Sequence, residues 1–243
     1  MKKILLSLLL AGITVSTSYT PAIAGPFDFM NQGKDKKSSD SGKTVDLDKL
    51  SSGGVRLIKS VGKATVIFSE AAIVMLSAAG NKEAAEKLKA ELDELKKKPN
   101  DQEGIKKFLE GPSKNAIGEL EKLKIDSKTK FNLSNAELIS AFEKLGGATV
   151  LDLSAVGDAA NLVKEATGLL DVVSKDPMKY GLSAVGTVNS VISSGKFITD
   201  NVPQQGKSIQ GFTTKLVDYF KANKIPVPSP EKLKKIADEL EKG

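Results

Sequence analysis

The chain has 243 residues, with 36 Lys and Arg against 30 Asp and Glu, and it contains no His, no Cys and no Trp. This composition excludes Ser-His-Asp triads, cysteine nucleophiles, thiolate or His-ligated metal sites and covalently attached haem. The formal net charge is +6, and Arg56 is the single arginine. Since planar guanidinium groups are preferred for phosphate and base recognition, we expect no nucleic-acid partner. No motif points to a metal or a cofactor.

The first 24 residues have the three parts of a bacterial secretory signal peptide. Lys2 and Lys3 form a positive region, residues 4–13 are apolar, and residues 22–24 read Ala-Ile-Ala. The apolar run is too short for a membrane-spanning helix, which needs about 20 residues. The pattern predicts cleavage after Ala24 and a periplasmic or secreted protein. Because no Cys follows the cleavage site, we expect that the protein is not a lipoprotein.

Residues 25–54 are rich in Gly, Ser, Lys and Asp and have almost no apolar periodicity, which is the composition of a flexible linker. From Val55 onward the apolar residues recur with helical spacing, and no stretch alternates with the period of a strand. The sequence therefore predicts a signal peptide over 1–24, a linker over 25–54 and one helical domain over 55–243. The fold class is all-α, a soluble bundle of about seven to eight helices.

The first predicted helix, 55–79, ends at Gly80 and is apolar or small almost all round. Five of its residues fall on one narrow stripe at about 100° per residue: Arg56, Lys59, Lys63, Glu70 and Ser77. The rest are apolar or small. Opposite this stripe lie large apolar residues: Leu57, Val61, Phe68, Met75 and Leu76. A helix with so wide an apolar surface belongs in the centre of a bundle, and its central Glu makes it a poor membrane span.

The other helices are predicted from caps, Gly and Pro. Asn81 caps a charged helix over 82–98, in which Ala85, Leu88, Leu92 and Leu95 form the apolar seam. A short helix capped by Asn100 follows and ends at Gly111-Pro112. Ser113 begins the next helix, and a Ser134 and Glu137 capping box begins another, which Gly146-Gly147 closes. The last four predicted helices are 149–175, 177–199, 204–223 and 230–242. Ser229 caps the last of them.

The predicted helices 149–175 and 177–199 carry little charge and many small residues. Small residues four positions apart, such as Gly186 and Ser190, allow helix backbones to approach one another. The same spacing joins Gly157 with Asn161 and Ser190 with Ser194. The sequence Leu-Ser-Ala-x-Gly begins at positions 76, 153 and 182, but this unequal spacing argues against a solenoid. We expect close packing here; the alternative is a hinge that opens to lipid.

Catalysis by two carboxylates, as in glycosidases, is the chemistry that the composition leaves open, but no carboxylate pair stands out. We therefore predict that the protein is not an enzyme, and a carboxylate-based hydrolase is the third hypothesis. The first hypothesis is an exported cell-envelope protein that acts by binding, as a helical protein-interaction or adaptor module. Its partner would be an envelope protein, with peripheral contact with a membrane as a further option.

The alternative hypothesis is a periplasmic carrier of a lipid or another apolar ligand. Its cavity would lie between the helix 55–79 and the small-residue helices, and its ligand-binding residues would be Phe68, Glu70 and Met75. Glu70 is the best single candidate for a functional carboxylate because it lies among apolar residues. Its position on the polar stripe also fits an ordinary solvated or paired surface residue.

Overall fold

The computed structural model describes residues 46–98, 101–180 and 182–242, which contain α-helices and no strand. In chain order the helices are α1 (Leu47–Ala78), α2 (Lys82–Lys96), α3 (Gln102–Phe108), α4 (Lys114–Lys122), α5 (Asn135–Lys175), α6 (Pro177–Tyr180), α7 (Leu182–Ala222) and α8 (Pro230–Lys242). The predicted all-α bundle is confirmed. The predicted signal peptide and the linker up to residue 45 lie outside the described residues.

Three long helices, α1, α5 and α7, form the centre of the bundle. Helix α5 runs antiparallel to α1, since the backbone N–H of Asn132 donates to the carbonyl of Ala78 while Gly53 lies against Leu162. Helix α7 returns antiparallel to α5, and the rings of Phe142 and Phe220 are 5.5 Å apart. The shorter helices cover the outside of this core.

Helix α1 is the core helix that its apolar surface predicts. Leu57, Val61 and Phe68 are 5%, 1% and 2% exposed, and Met75 and Leu76 are fully buried. Among the described residues it is the one helix long and apolar enough to cross a membrane, and 61% of its most apolar 18-residue window is buried in the bundle. The core helix of a bundle can have the same length and composition, so this finding alone is not evidence that α1 spans a membrane.

The local signals at the end of α1 are confirmed. Gly80 has φ +87°, and the N–H of Asn81 donates to Leu76 while that of Gly80 donates to Ser77, which completes a Schellman motif. The side chain of Asn81 then accepts from the N–H of Ala84 and caps α2. A single residue pair thus ends one helix and begins the next.

The beginning of α1 corrects the sequence prediction, because the helix starts at Leu47 and not at Val55. Asp46 caps it by accepting from the N–H of Lys49 at 2.9 Å. The glycines at 53 and 54 made this segment resemble a linker, but they lie inside the helix, where Leu162 of α5 and Val191 of α7 pack close to them. A Cβ on Gly54 would stand 3.3 Å from Val191 Cγ2, so the small residue lets α1 approach α7.

The predicted helix end at Gly111-Pro112 is also wrong. The chain continues from α3 to α4 through a π-helical turn over Leu109–Ser113, and Ser113 makes no capping hydrogen bond. Pro112 has no N–H and would clash with the carbonyl four residues earlier in an α-helix, whereas the wider π turn accommodates it. The side chain of Gln205 donates to the Leu109 carbonyl at 3.0 Å and so satisfies one acceptor of this turn. The cap of α3 is Asp101, which accepts from the N–H of Gly104, and the predicted cap Asn100 lies outside the described residues.

The glycine pair predicted to end a helix lies inside α5, so the predicted capping-box helix and the predicted helix 149–175 are one. The capping box itself is confirmed, with Ser134 and Glu137 bonded reciprocally. A Cβ on Gly146 would be 2.8 Å from Leu233, and one on Gly147 would be 2.7 Å from Ile236. These glycines therefore admit α8 rather than terminate α5.

The predicted helices 177–199 and 204–223 are likewise replaced by the four-residue helix α6 and the long helix α7, which includes Pro203. Asp176 caps α6 as predicted, by accepting from the N–H of Lys179 at 3.1 Å. Near Pro203, the side chain of Asn201 donates to the Phe197 carbonyl at 2.9 Å and supplies a hydrogen bond to the backbone of this region.

The small residues that bring α5 and α7 together are only partly those predicted. A Cβ on Gly157 or Gly186 would meet nothing within 4 Å, so neither glycine mediates close packing. Gly195 does: a Cβ there would stand 2.3 Å from Val163 Cγ2 and 3.4 Å from the Ala159 carbonyl oxygen. The close approach is therefore centred on Gly195.

Alanine substitutions at two glycines test this assignment. We expect Gly195→Ala to lower the free energy of unfolding by about 1–2 kcal/mol, because overpacking outweighs the gain in helix propensity. Gly157→Ala on the exposed side of α5 should raise it by up to about 1 kcal/mol. Urea unfolding followed by circular dichroism measures both. Equal stability of the two variants would contradict the close contact at Gly195.

Candidate functional site

A groove of about 680 Å³ lies between α1, α2, α3 and α8. Its apolar lining residues are Gly62, Val66, Ile67, Leu95, Ile105 and Leu240, and its charged lining residues are Lys59, Lys63, Lys96 and Glu239. The apolar residues form what we call the floor and the charged residues the rim. The groove thus combines an apolar surface with an excess of positive charge.

Helix α1 supplies half of the lining because one of its edges faces the groove. Residues 59, 63 and 67 recur at four-residue spacing, so they lie along one side of the helix. A Cβ on Gly62 would stand 2.9 Å from Ile105 Cδ1, which shows how closely α3 covers this part of α1. The glycine therefore allows Ile105 to form part of the floor.

Helix α8 forms the opposite wall and is held at both ends. Near its beginning, Lys232 pairs with the Glu143 carboxylate of α5. Near its end, Lys63 Nζ donates to the carbonyl oxygen of Glu241 at 3.2 Å. Between these contacts α8 packs on the glycine pair of α5, and this arrangement places Leu240 at the groove.

The charges of the rim differ in how they are neutralised. Lys96 Nζ is 2.7 Å from a Glu70 carboxylate oxygen, and Lys144 is 3.9 Å from the other. Glu239 lies 3.9 Å from Lys235 on its own helix. No ion pair among the described residues includes Lys59 or Lys63. Among the described residues, the two α1 lysines are therefore the rim charges that have no ion-pair partner.

The predicted ligand-binding residues Phe68, Glu70 and Met75 line neither this groove nor the two other grooves described below. Phe68 and Met75 are buried in the core, at 2% and 0% exposure. Glu70 lies on the surface with 38% of its side chain exposed and pairs with Lys96 and Lys144, which matches its interpretation as a paired surface residue. Glu70 does not line the groove itself, but it pairs with Lys96, which does.

The space between α1 and the small-residue part of α7 is a polar groove of about 330 Å³ rather than an apolar cavity. Ser51, Gln102, Thr187, Ser190 and Ser194 are among its lining residues. A further groove of about 680 Å³ between α2 and α4 is lined by lysines, glutamates and asparagines, together with Ala84, Leu88, Pro112, Ala116 and Gly118. There Lys122 and Asn81 both donate to Glu119 and lower the pKa of its carboxyl group. Polar and charged residues make up most of the lining of both grooves.

Asp152 of α5 is a buried carboxyl group that sequence analysis did not single out. It is 6% exposed, its Oδ1 has no hydrogen-bond partner, and burial raises its pKa to about 8. The helical spacing of the sequence could have indicated its burial. Position 152 continues the three- and four-residue spacing of the buried residues of α5, which include Leu145, Ala148, Ala155, Ala159 and Leu162. Asp152 lines none of the three grooves, so its effect is expected on stability.

Two large apolar side chains are exposed at the connection between α5 and α7. Met178 and Leu182 are 96% and 82% exposed, and Lys179 Nζ lies 5.3 Å from the centroid of the Tyr180 ring. We call these four residues the α6 corner. Its apolar surface faces outward and is separate from the residues that line the groove.

No group of three or more Asp or Glu side chains in the described part of the chain could hold a metal ion. Comparisons with protein-family models, with curated proteins and with solved structures find no match to this chain. The functional argument therefore depends on the geometry and charge of the groove and of the α6 corner.

Proposed function

We propose that this protein acts by binding and that its groove takes the aliphatic part of an apolar or amphiphilic ligand. The observation behind the proposal is the combination of a six-residue apolar floor with a mainly basic rim. A volume of about 680 Å³ lies within the range of small-molecule sites, roughly 300–1,000 Å³. With the predicted signal peptide, this function is that of an exported carrier of the cell envelope.

The lining of the groove favours binding over hydrolysis. A glycosidase-type mechanism needs two carboxyl groups on opposite sides of the substrate bond. Glu239 is the one carboxylate among the residues that line this groove, and it lies near Lys235. The floor supplies surface for an alkyl chain, and the rim supplies amines that can donate hydrogen bonds.

The α6 corner supports a second candidate function, a protein-interaction or adaptor module. Exposed large apolar residues that lie together often mark contact surfaces. In this hypothesis Met178 and Leu182 contact an envelope protein, or a membrane surface peripherally. Replacing both residues by Ser should then reduce crosslinking to envelope components while leaving ligand binding in the groove unchanged.

Placing a charged side chain in the floor tests directly whether the groove binds the ligand. We expect Val66→Asp to abolish binding of a fluorescent alkyl-chain probe, since an ionised carboxylate in the floor opposes the transfer of the chain from water. The control is Val74→Asp on the same helix, because Val74 is 39% exposed and does not line the groove. Fluorescence titration of the two variants and the wild type measures the effect. Unchanged probe affinity of Val66→Asp would exclude the groove as the binding site.

A further inference from the structure

Two of the rim lysines stand one helical turn apart on α1. At the i,i+4 spacing of Lys59 and Lys63 their Cβ atoms are about 5–6 Å apart, and like charges at this spacing disfavour the helix. Neither lysine belongs to an ion pair among the described residues. Lys63 donates to the backbone carbonyl of Glu241 in the last turn of α8, where the negative end of the helix dipole offsets only part of the charge of the amine. This pair is therefore suited to an anion.

The other charged residues of the rim do not provide that anion. Glu239 lies 3.9 Å from Lys235 and forms no ion pair with either α1 lysine, and Lys96 pairs with Glu70 at 2.7 Å. Lys96 is thereby neutralised in part, so the positive charge of the rim is concentrated on the α1 side. The apolar floor begins on the same helix, since Gly62, Val66 and Ile67 all line the groove.

We propose that the ligand is a single-chain amphiphile with an anionic head group, a carboxylate or a phosphate. Lys59 and Lys63 hold the head group, and the floor holds the alkyl chain. From Lys59 to Ile67 the lined edge of α1 measures about 12 Å at 1.5 Å per residue, which suits one short chain. This inference rests on the proposed function and narrows it, because it assigns the chemistry of the head group.

Matched ligands with the same twelve-carbon chain test the head group on the full chain. Isothermal titration calorimetry below the micelle concentration compares dodecanoate and dodecyl phosphate with dodecanol and dodecyltrimethylammonium. We expect both anions to bind about tenfold more tightly than the cation, since charge-assisted hydrogen bonds form only with the anions. Dodecanol should show intermediate affinity, because it has the chain without the charge.

Paired variants separate the head-group contact from a general effect of charge. The double variant Lys59→Gln and Lys63→Gln should lose the preference for anions while it retains dodecanol binding, which shows that the groove is intact. The control, Lys87→Gln with Lys114→Gln, removes the same charge from the groove between α2 and α4. It should keep the full preference for anions.

The possible outcomes distinguish this inference from the proposed function. Equal affinity for the anionic and cationic ligands would overturn the head-group assignment and leave the groove as a binding site. Absence of binding by all four ligands would contradict the proposed function itself. Binding only to phosphatidylglycerol vesicles, without binding of monomeric dodecanoate or dodecyl phosphate, would overturn the inference in favour of a membrane surface.

Discussion

Replacing Asp152 by Asn should make the protein more stable at neutral pH and should remove most of the pH dependence of its stability between about pH 5 and 8. The carboxyl group is buried and its Oδ1 is unpartnered, and desolvation raises its pKa from 3.8 to about 8. Asn has nearly the same shape and does not ionise. The variant therefore removes the titration and keeps the volume of the side chain.

The direction of the effect follows from proton uptake. Between the unfolded pKa near 3.8 and the folded pKa near 8, the folded protein retains a proton on Asp152 that the unfolded chain releases. The stability of the wild type therefore falls as pH rises through this window, by at most about 1.4 kcal/mol per pH unit from this group. Below about pH 3 both states are protonated, and above about pH 9 the penalty is constant.

Urea unfolding of the wild type and Asp152→Asn at several pH values measures the difference. Asp158→Asn is the control on the same helix, since partial burial also raises the pKa of Asp158 but Arg56 opposes the shift. We expect a smaller change of slope for the control. A stability difference between the wild type and Asp152→Asn that stays constant from pH 5 to 8 would contradict a buried, protonated Asp152.

Replacing Leu76 by Asp should destabilise the bundle by at least about 4 kcal/mol. Leu76 is fully buried near the end of α1, where its carbonyl also accepts the hydrogen bond that closes the Schellman motif. The substitution removes an apolar side chain from the core and places a carboxyl group there. Thermal unfolding and urea unfolding measure the loss, and an unchanged melting temperature would contradict the position of α1 in the core.

Glu70→Gln is the matched surface control for that prediction. It removes the charge that pairs with Lys96 and Lys144, but 38% of the Glu70 side chain is exposed. Exposed ion pairs contribute about 0.2–1 kcal/mol, so the free energy of unfolding should change little. A loss as large as that of Leu76→Asp would show that Glu70 has a structural role that its contacts do not explain.

Helix ends were predictable where their hydrogen bonds are local. Ser134 bonds to Glu137, Asn81 bonds to Ala84, and Ser229 accepts from the N–H of Lys232, each within three residues along the chain. The positive φ of Gly80 is equally a property of its own turn. Such signals can be recognised without any knowledge of the tertiary structure.

Glycine and proline inside the chain misled the prediction because distant segments determine their roles. The absence of a side chain at Gly146 leaves room for Leu233 of α8, and the absence of one at Gly54 leaves room for Val191 of α7. Pro112 is accommodated by a π turn whose carbonyl at Leu109 is satisfied by a side chain of α7. Each residue signals a break in its local sequence, but the two glycines are sites of close approach and Pro112 lies inside a continuous helical segment.

The groove could not be predicted for the same reason. Its lining comes from the consecutive helices α1, α2 and α3 and from α8, which lies far from them in the sequence. The prediction placed the ligand beside Phe68 and Met75, which the core buries. The polar stripe on α1 was recognised, with Lys59, Lys63 and Glu70 in it. That these lysines border an apolar floor becomes visible only when α8 is placed against α1.

The central claim, that the groove holds an amphiphile, is tested most directly by native mass spectrometry. The wild type and Val66→Asp are purified side by side, without detergent, from the periplasm of a bacterial host. We predict that the wild type carries an additional mass that organic solvent releases and that is identified as a single-chain acid, while Val66→Asp is bare. The same additional mass on both proteins, or a bare wild type that also fails to bind dodecanoate, would contradict the claim.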